Sequence, residues 1–99
     1  MKASIDELIN DINQATYTEI VIKIHTGTEV IIKSFHYTNL RISKDDKGAI
    51  ALGNYESKEG YIITNEYEIE KADRIGHDGK STYHISDKDI PLIDIYIKQ

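Results

Sequence analysis

The sequence predicts an α+β fold: a short N-terminal helix, then about six mostly antiparallel strands in a bent sheet or small barrel. Three observations carry this. Residues 5–14 hold one apolar stripe at helical spacing, residues 18–35 read as a β-hairpin, and several later stretches alternate apolar and polar residues between short turns. The chain reads as a single domain, residues 1–99, with the helix at about 5–14 and a β-rich segment at 17–98.

Ser4-Ile5-Asp6-Glu7 forms a capping box, in which Ser4 caps the helix and Glu7 reaches back three residues. Ile5, Leu8, Ile9 and Ile12 follow at i, i+3, i+4 and i+7. Asp6 and Glu7 in the first turn suit the helix dipole. About three turns are marginal alone, so the helix must lie on an apolar surface, and the hairpin after it is the obvious one.

That hairpin joins Thr18–His25 to Glu29–Phe35 through Thr26-Gly27-Thr28, read as a three-residue loop with glycine at its centre. In this register Ile20, Ile22 and Ile24 share a face that Val30 and Ile32 answer. Leu40–Ser43 and Ala49–Leu52 read as a second hairpin around the turn Lys44–Gly48, and Tyr55–Gly60 as an exposed loop. Residues 61–75 form the longest strand-like run. Within it Tyr67 and Ile69 face one way and Glu66, Glu68 and Glu70 the other. Residues 76–80 are a loop, 81–85 a strand, and Asp87-Lys88-Asp89 a turn. In the last strand Ile93, Ile95 and Ile97 oppose Asp94, Tyr96 and Lys98. Nineteen isoleucines against four leucines and two valines favour strands throughout.

Composition excludes several functions. With no cysteine there is no disulfide framework, thiolate zinc site or thiol nucleophile. With acids near the start no signal peptide is expected, and no apolar run approaches the roughly 20 residues of a membrane span. A soluble, cytoplasmic protein is expected. A net charge of −5 disfavours nucleic-acid and anionic-membrane binding. His25, His36, His77 and His84 make no local pair of metal ligands. Asp45-Asp46 and Asp87-Lys88-Asp89 do not continue into a calcium loop, and no nucleophile elbow or phosphate loop is present. No catalytic residue, cofactor or metal is therefore assigned.

The acids are unevenly spread. Residues 1–54 hold seven acids and six Lys or Arg, whereas residues 55–99 hold ten acids and six. Glu66, Glu68 and Glu70, with Asp73 and Asp78 nearby, make a candidate surface for a basic partner protein, and Tyr61 is the candidate aromatic anchor at its margin. The bland alternative is a solvated strand face that resists aggregation. Tyr55, Tyr61, Tyr67, Tyr83 and Tyr96 lie in the same half, as interface or core filler.

Two families are resembled. The small, cysteine-free, acidic and motif-free format, with Glu66, Glu68, Glu70, Asp73 and Asp78, resembles phage-encoded anti-CRISPR inhibitors of RNA-guided nucleases. That resemblance implies a non-enzymatic inhibitor whose carboxylates occupy a basic nucleic-acid channel. The helix followed by Glu19–Ile24, Gly27 and Val30–Phe35 resembles the entry to an Sm-like barrel. Lys33-Ser34 stands where that family carries a glycine, and its RNA-binding residues are not recognisable here. The alternatives are thus a small structural or regulatory barrel assembling through strand edges, and an immunity protein against a basic toxin.

Overall fold

The computed structural model describes residues 1–54, 56–73, 75–76 and 78–99. Helix α1 (Ile5–Gln14) is followed by β1 (Tyr17–His25), β2 (Val30–Thr38), β3 (Ile50–Asn54), β4 (Glu59–Ile63), β5 (Glu68–Lys71), β6 (Lys80–Asp87) and β7 (Ile90–Lys98). Five strands form one antiparallel sheet in the order β2-β1-β7-β6-β5, and β3 and β4 form a separate two-stranded sheet. The large sheet is open and does not close into a barrel.

Side-chain alternation divides the large sheet into two faces. Ile20 and Ile22 of β1, Ile93, Ile95 and Ile97 of β7, Tyr83 and Ile85 of β6 and Ile69 of β5 are all buried on one face. They pack with Ile5, Leu8 and Ile12 of the helix and Ile50, Leu52 and Ile63 of the small sheet. Each fully buried aliphatic side chain contributes about 1.5–3 kcal/mol, so this face supplies most of the driving force for folding.

Half of the expected capping box forms: Ser4 caps the helix, while the Glu7 side chain turns to Lys71 and not back to the Ser4 amide. The Glu7 amide donates to Ser4 Oγ at 3.1 Å. The Glu7 carboxylate lies 3.6 Å from Lys71 Nζ, a tie to the sheet. The helix was expected to lie on the first hairpin; its Ile5, Leu8 and Ile12 do share one core with Ile20 and Ile22 of that hairpin, and its polar ties run to β5, β6 and residues 42–44. Lys71 Nζ donates to Asp11 Oδ2 at 2.9 Å, and the buried Tyr83 hydroxyl donates to the same oxygen. The Asp11 hydrogen bond, against a smaller desolvation effect, holds the Lys71 ammonium above its usual pKa. Burial, followed by the same bond, pushes the Tyr83 hydroxyl far up, so it stays a donor. The small sheet lies under the other end of the same face: the Tyr37 hydroxyl of β2 donates to the Gly53 carbonyl of β3, and Lys33 reaches Glu59 of β4 at 3.1 Å.

The first hairpin is shifted by one residue from the expected register. His25 pairs with Val30, Ile24 with Ile31, Ile22 with Lys33 and Ile20 with Phe35. Thr26 N–H donates to the Glu29 carbonyl, so only Gly27 and Thr28 lie at the tip, and Glu29 joins the strand alternation. Moving one residue from loop to strand turns every β2 side chain over. Phe35 and Tyr37 therefore face the core, while Val30 and Ile32 are exposed. The Thr26 hydroxyl drives this, accepting the Thr28 and Glu29 amides at 3.3 and 3.0 Å.

Residues 40–43 form no strand. Asn13 on the helix accepts the Ile42 amide at 2.7 Å and donates to the Ile42 carbonyl at 2.9 Å, so a side-chain amide replaces the partner strand. Freed from that pairing, Ile50–Asn54 turns to Glu59–Ile63, which includes residues expected to be loop. Gly53 and Gly60 face each other across this pair. A Cβ on Gly60 would sit 2.4 Å from the Leu52 carbonyl oxygen, so only glycine permits this approach. The run 61–75 is likewise divided: β4 ends at Ile63, residues 64–67 turn, and β5 begins at Glu68.

One polar group is stranded in this core. Thr18 is 0% exposed, and its hydroxyl has no partner among the described residues. Thr18→Val keeps shape and β-branching while deleting the stranded hydroxyl, so unfolding in urea should show a gain of about 1 kcal/mol. An equal loss would mean that the hydroxyl is satisfied.

Candidate functional site: the uncovered face and its acidic edge

The second face of the large sheet is covered by no helix or strand among the described residues. Pairing registers align its side chains in rows. Glu70 of β5 stands opposite His84 of β6, His84 opposite Asp94 of β7, and Asp94 opposite Val21 of β1. Lys23, two residues along β1, closes the row with Nζ 2.8 Å from Asp94 Oδ2, while His84 Nδ1 lies 2.7 Å from Asp94 Oδ1. A second row places His36 opposite Glu19 and Glu19 opposite Tyr96. The Tyr17 hydroxyl meets His36 Nδ1, and His36 Nε2 lies 3.7 Å from Glu19. Lys80 Nζ sits 5.0 Å over the Tyr17 ring.

Asp94 is the centre of this face. Burial alone would raise its pKa, but the hydrogen bonds and charges of Lys23 and His84 outweigh that effect and hold the carboxyl below the ordinary value. Burial, with Asp94 as neighbour, pushes the Tyr96 hydroxyl up. The alternation of Asp94 with Ile93 and Ile95 was visible in the sequence, but its partners lie on strands whose registers were not.

The candidate acids gather along the β5 side of the sheet, in two different settings. Glu68 and Glu70 flank the buried Ile69 and are exposed on the strand, as alternation requires. Glu66 lies outside the strand in the preceding turn, where its amide donates to Thr64 Oγ1 at 3.3 Å. Strict alternation therefore covers two of the three glutamates, because Tyr67 N–H turns back to the Thr64 carbonyl. Asp73 and Asp78 lie in the connection from β5 to β6. Asp73 is 3.7 Å from the N-terminal ammonium. Asp78 accepts the Lys80 amide at 3.1 Å and lies 3.7 Å from Lys80 Nζ. No ion pair engages Glu66, Glu68 or Glu70 among the described residues.

Tyr61 belongs to β4 in the small sheet, half-buried against the core. It lines an apolar groove of about 330 Å³ with Leu52, Gly53, Lys58 and Ile62. Of the other tyrosines, Tyr83 is core, Tyr67 packs against the core and Tyr96 is half-buried on the uncovered face. Tyr55 and His77 lie outside the described residues. His25 ends β1, its Nε2 2.6 Å from the Pro91 carbonyl. Among the described residues no group of three His, Asp or Glu side chains is placed to hold a metal ion, and no helix is long and apolar enough to cross a membrane.

No family model, curated protein or solved structure matches this chain.

The depressed Asp94 pKa fixes the sign of a pH effect. A carboxyl with a lower pKa folded than unfolded stabilises the fold above the ordinary value of 3.8, and that stabilisation fades as pH falls through the folded value. Asp94→Asn should therefore cost about 2 kcal/mol near neutral pH. The gap to the parent chain should close on acidification below 3.8. Denaturant titrations of both proteins across this range check it; a gap independent of pH would mean that Asp94 acts by shape and not by charge.

Proposed function

We propose that this protein is a non-enzymatic binding domain whose acidic β5 edge docks on a basic, nucleic-acid-binding surface of a partner protein. The observation that carries the reading is the state of Glu66, Glu68 and Glu70. All three are exposed, close in sequence, and free of ion pairs among the described residues. Like charges so placed repel one another, and a partner's Lys and Arg side chains relieve the repulsion.

The setting of the patch favours protein contact. Its strand is anchored from behind by Ile69 in the core, and Lys71 is held by Asp11 and Glu7 of the helix. Glu68 and Glu70 thus stand on an anchored strand, which lowers the ordering cost of binding. Asp73 and Asp78 lie past the end of the strand but are offset by the N-terminal ammonium and Lys80, so the unpaired charge of the patch is that of the three glutamates. Tyr61 packs into the small sheet, so the anchor expected of it is left out of the proposed contact.

The resemblance to anti-CRISPR inhibitors names the partner class to test: an RNA-guided nuclease, whose channel binds a nucleic-acid backbone through Lys and Arg. In that reading the acids stand in for phosphates and exclude the target duplex. An immunity protein against a basic toxin would use the same patch, and the identity of the enzyme inhibited separates the two.

The probe is a guide-loaded Cas9-type nuclease. The wild-type chain should block its binding of target DNA. Replacing Glu66, Glu68 and Glu70 together by Gln should leave the fold intact, slow association roughly tenfold at low salt and flatten its salt dependence. Equal association rates for the two proteins at low and moderate salt would reduce this face to a solvated edge. Failure of the wild-type chain to inhibit would overturn the nuclease assignment.

A further inference from the structure

The large sheet has two edges, and the chain treats them differently. At the β5 edge the first residues fold back alongside the strand: Lys2 bridges Glu70, Ala3 N–H donates to the Ile69 carbonyl at 2.8 Å, and Lys71 N–H to the Met1 carbonyl at 2.8 Å. At the β2 edge no strand among the described residues pairs with the outer side. This edge is nine residues long and opens with Val30, Ile31 and Ile32, which are 50%, 38% and 62% exposed. A long, apolar, unpaired edge is a template for another strand, and proteins that leave one open put it to use or blunt it with charge.

The hydrogen-bond phase of β2 shows which residues are available. Thr26 N–H donates to the Glu29 carbonyl at one end of the hairpin, and Asn39 N–H to the Thr16 carbonyl at the other. Both bonds fit the same regular register, so Ile31, Lys33, Phe35 and Tyr37 spend their main-chain groups on β1. Val30, Ile32, Ser34 and His36 point theirs outward.

We infer that the β2 edge pairs with β2 of a second copy of this chain, antiparallel about a two-fold axis at Ile31, to form a continuous ten-stranded sheet. The occupant is set by self-complementarity. A two-fold axis at Ile31 sets Val30 opposite the partner's Ile32, Ile31 opposite the partner's Ile31, and Glu29 opposite the partner's Lys33. Three apolar pairs are then flanked at both ends by Glu29 facing a Lys33 that Glu59 of its own chain holds at 3.1 Å and must share, and the outward amides of Val30 and Ile32 all find acceptors. The three next registers along the strand with the same hydrogen-bond phase do worse. An axis at Ile32 sets Lys33 opposite Ile31, an axis at Lys33 sets it opposite itself, and an axis at Ser34 sets it opposite Phe35. β2 contains no acid, so the edge brings together the least negative strand of an acidic chain. The covered β5 edge stops growth at two copies, giving a closed dimer. This inference stands apart from the acidic docking surface, which lies on the opposite edge and remains exposed in the dimer.

The native chain has no cysteine, so a single introduced thiol reports the register cleanly. Sedimentation of the wild-type chain over a dilution series should show a dimer dissociating to monomer. Ile32→Lys should give a monomer with an unchanged circular dichroism spectrum. Glu29→Lys, which sets a like charge opposite the partner's Lys33 and leaves the Lys33–Glu59 pair intact, should also weaken the dimer. Under mild oxidation Ile31→Cys should link into a disulfide dimer, since directly opposed residues of this type place their Cα atoms within disulfide range; Ser34→Cys should not. A wild-type chain that stays monomeric throughout would overturn the inference. So would a dimer indifferent to Ile32→Lys or to Glu29→Lys, or cross-linking at Ser34 in place of Ile31.

Discussion

The register of the first hairpin is the constraint on which the other features depend. Whether the turn holds two residues or three decides which side chains of β2 meet the core. The Thr26 hydroxyl, by capping the Thr28 and Glu29 amides, selects the tighter tip. Phe35 and Tyr37 then point inward, and Tyr37 gains the Gly53 carbonyl that fastens the small sheet beneath β2. Had the turn kept three residues, Val30 and Ile32 would have entered the core and Tyr37 would have faced water. The same choice sets His36 beside Tyr17 and Glu19 on the uncovered face, and leaves an isoleucine-rich strip on the free edge.

Two aspartates divide the remaining structural work between the faces. Asp11, on the helix, gathers the Tyr83 hydroxyl and the Lys71 ammonium at one oxygen and so fixes the helix over β5 and β6. A buried tyrosine hydroxyl costs free energy unless paired, and here the pairing doubles as the joint between layers. Asp94 does the equivalent on the uncovered face, where Lys23 and His84 from the two flanking strands share its carboxylate. Both carboxylates are enclosed by cations and donors, in contrast to the glutamates of the β5 region. That contrast between paired and unpaired acids among the described residues is the basis on which we propose the β5 edge as a docking surface.

Local signals were read well from the sequence, and non-local ones were not. The helix, its Ser4 cap and the inward face of the last strand follow from spacing alone: Leu8 and Ile12 are buried where the stripe placed them, and Ile93, Ile95 and Ile97 line the core. The second hairpin was misread because residues 40–43 alternate like a strand, yet their main-chain groups go to Asn13, a helix side chain with no signal in the local pattern. The run 61–75 was misread because the Thr64–Tyr67 turn contains neither glycine nor proline. Of the candidate site, Glu68 and Glu70 were legible from alternation and Glu66 only by proximity. The Lys23–Asp94–His84 row needs three strand registers at once, which no stretch of sequence states by itself.

The hairpin register is open to direct measurement by amide hydrogen exchange, resolved by residue, at a dilution where the chain is monomeric. The amides of Ile31, Lys33, Phe35 and Tyr37 should be protected, and those of Val30, Ile32, Ser34 and His36 should exchange freely, because only the first set bonds to β1. The opposite alternation would place Val30 and Ile32 in the core-facing register, and it would contradict the β2 edge, the Tyr37 joint and the arrangement of the uncovered face together.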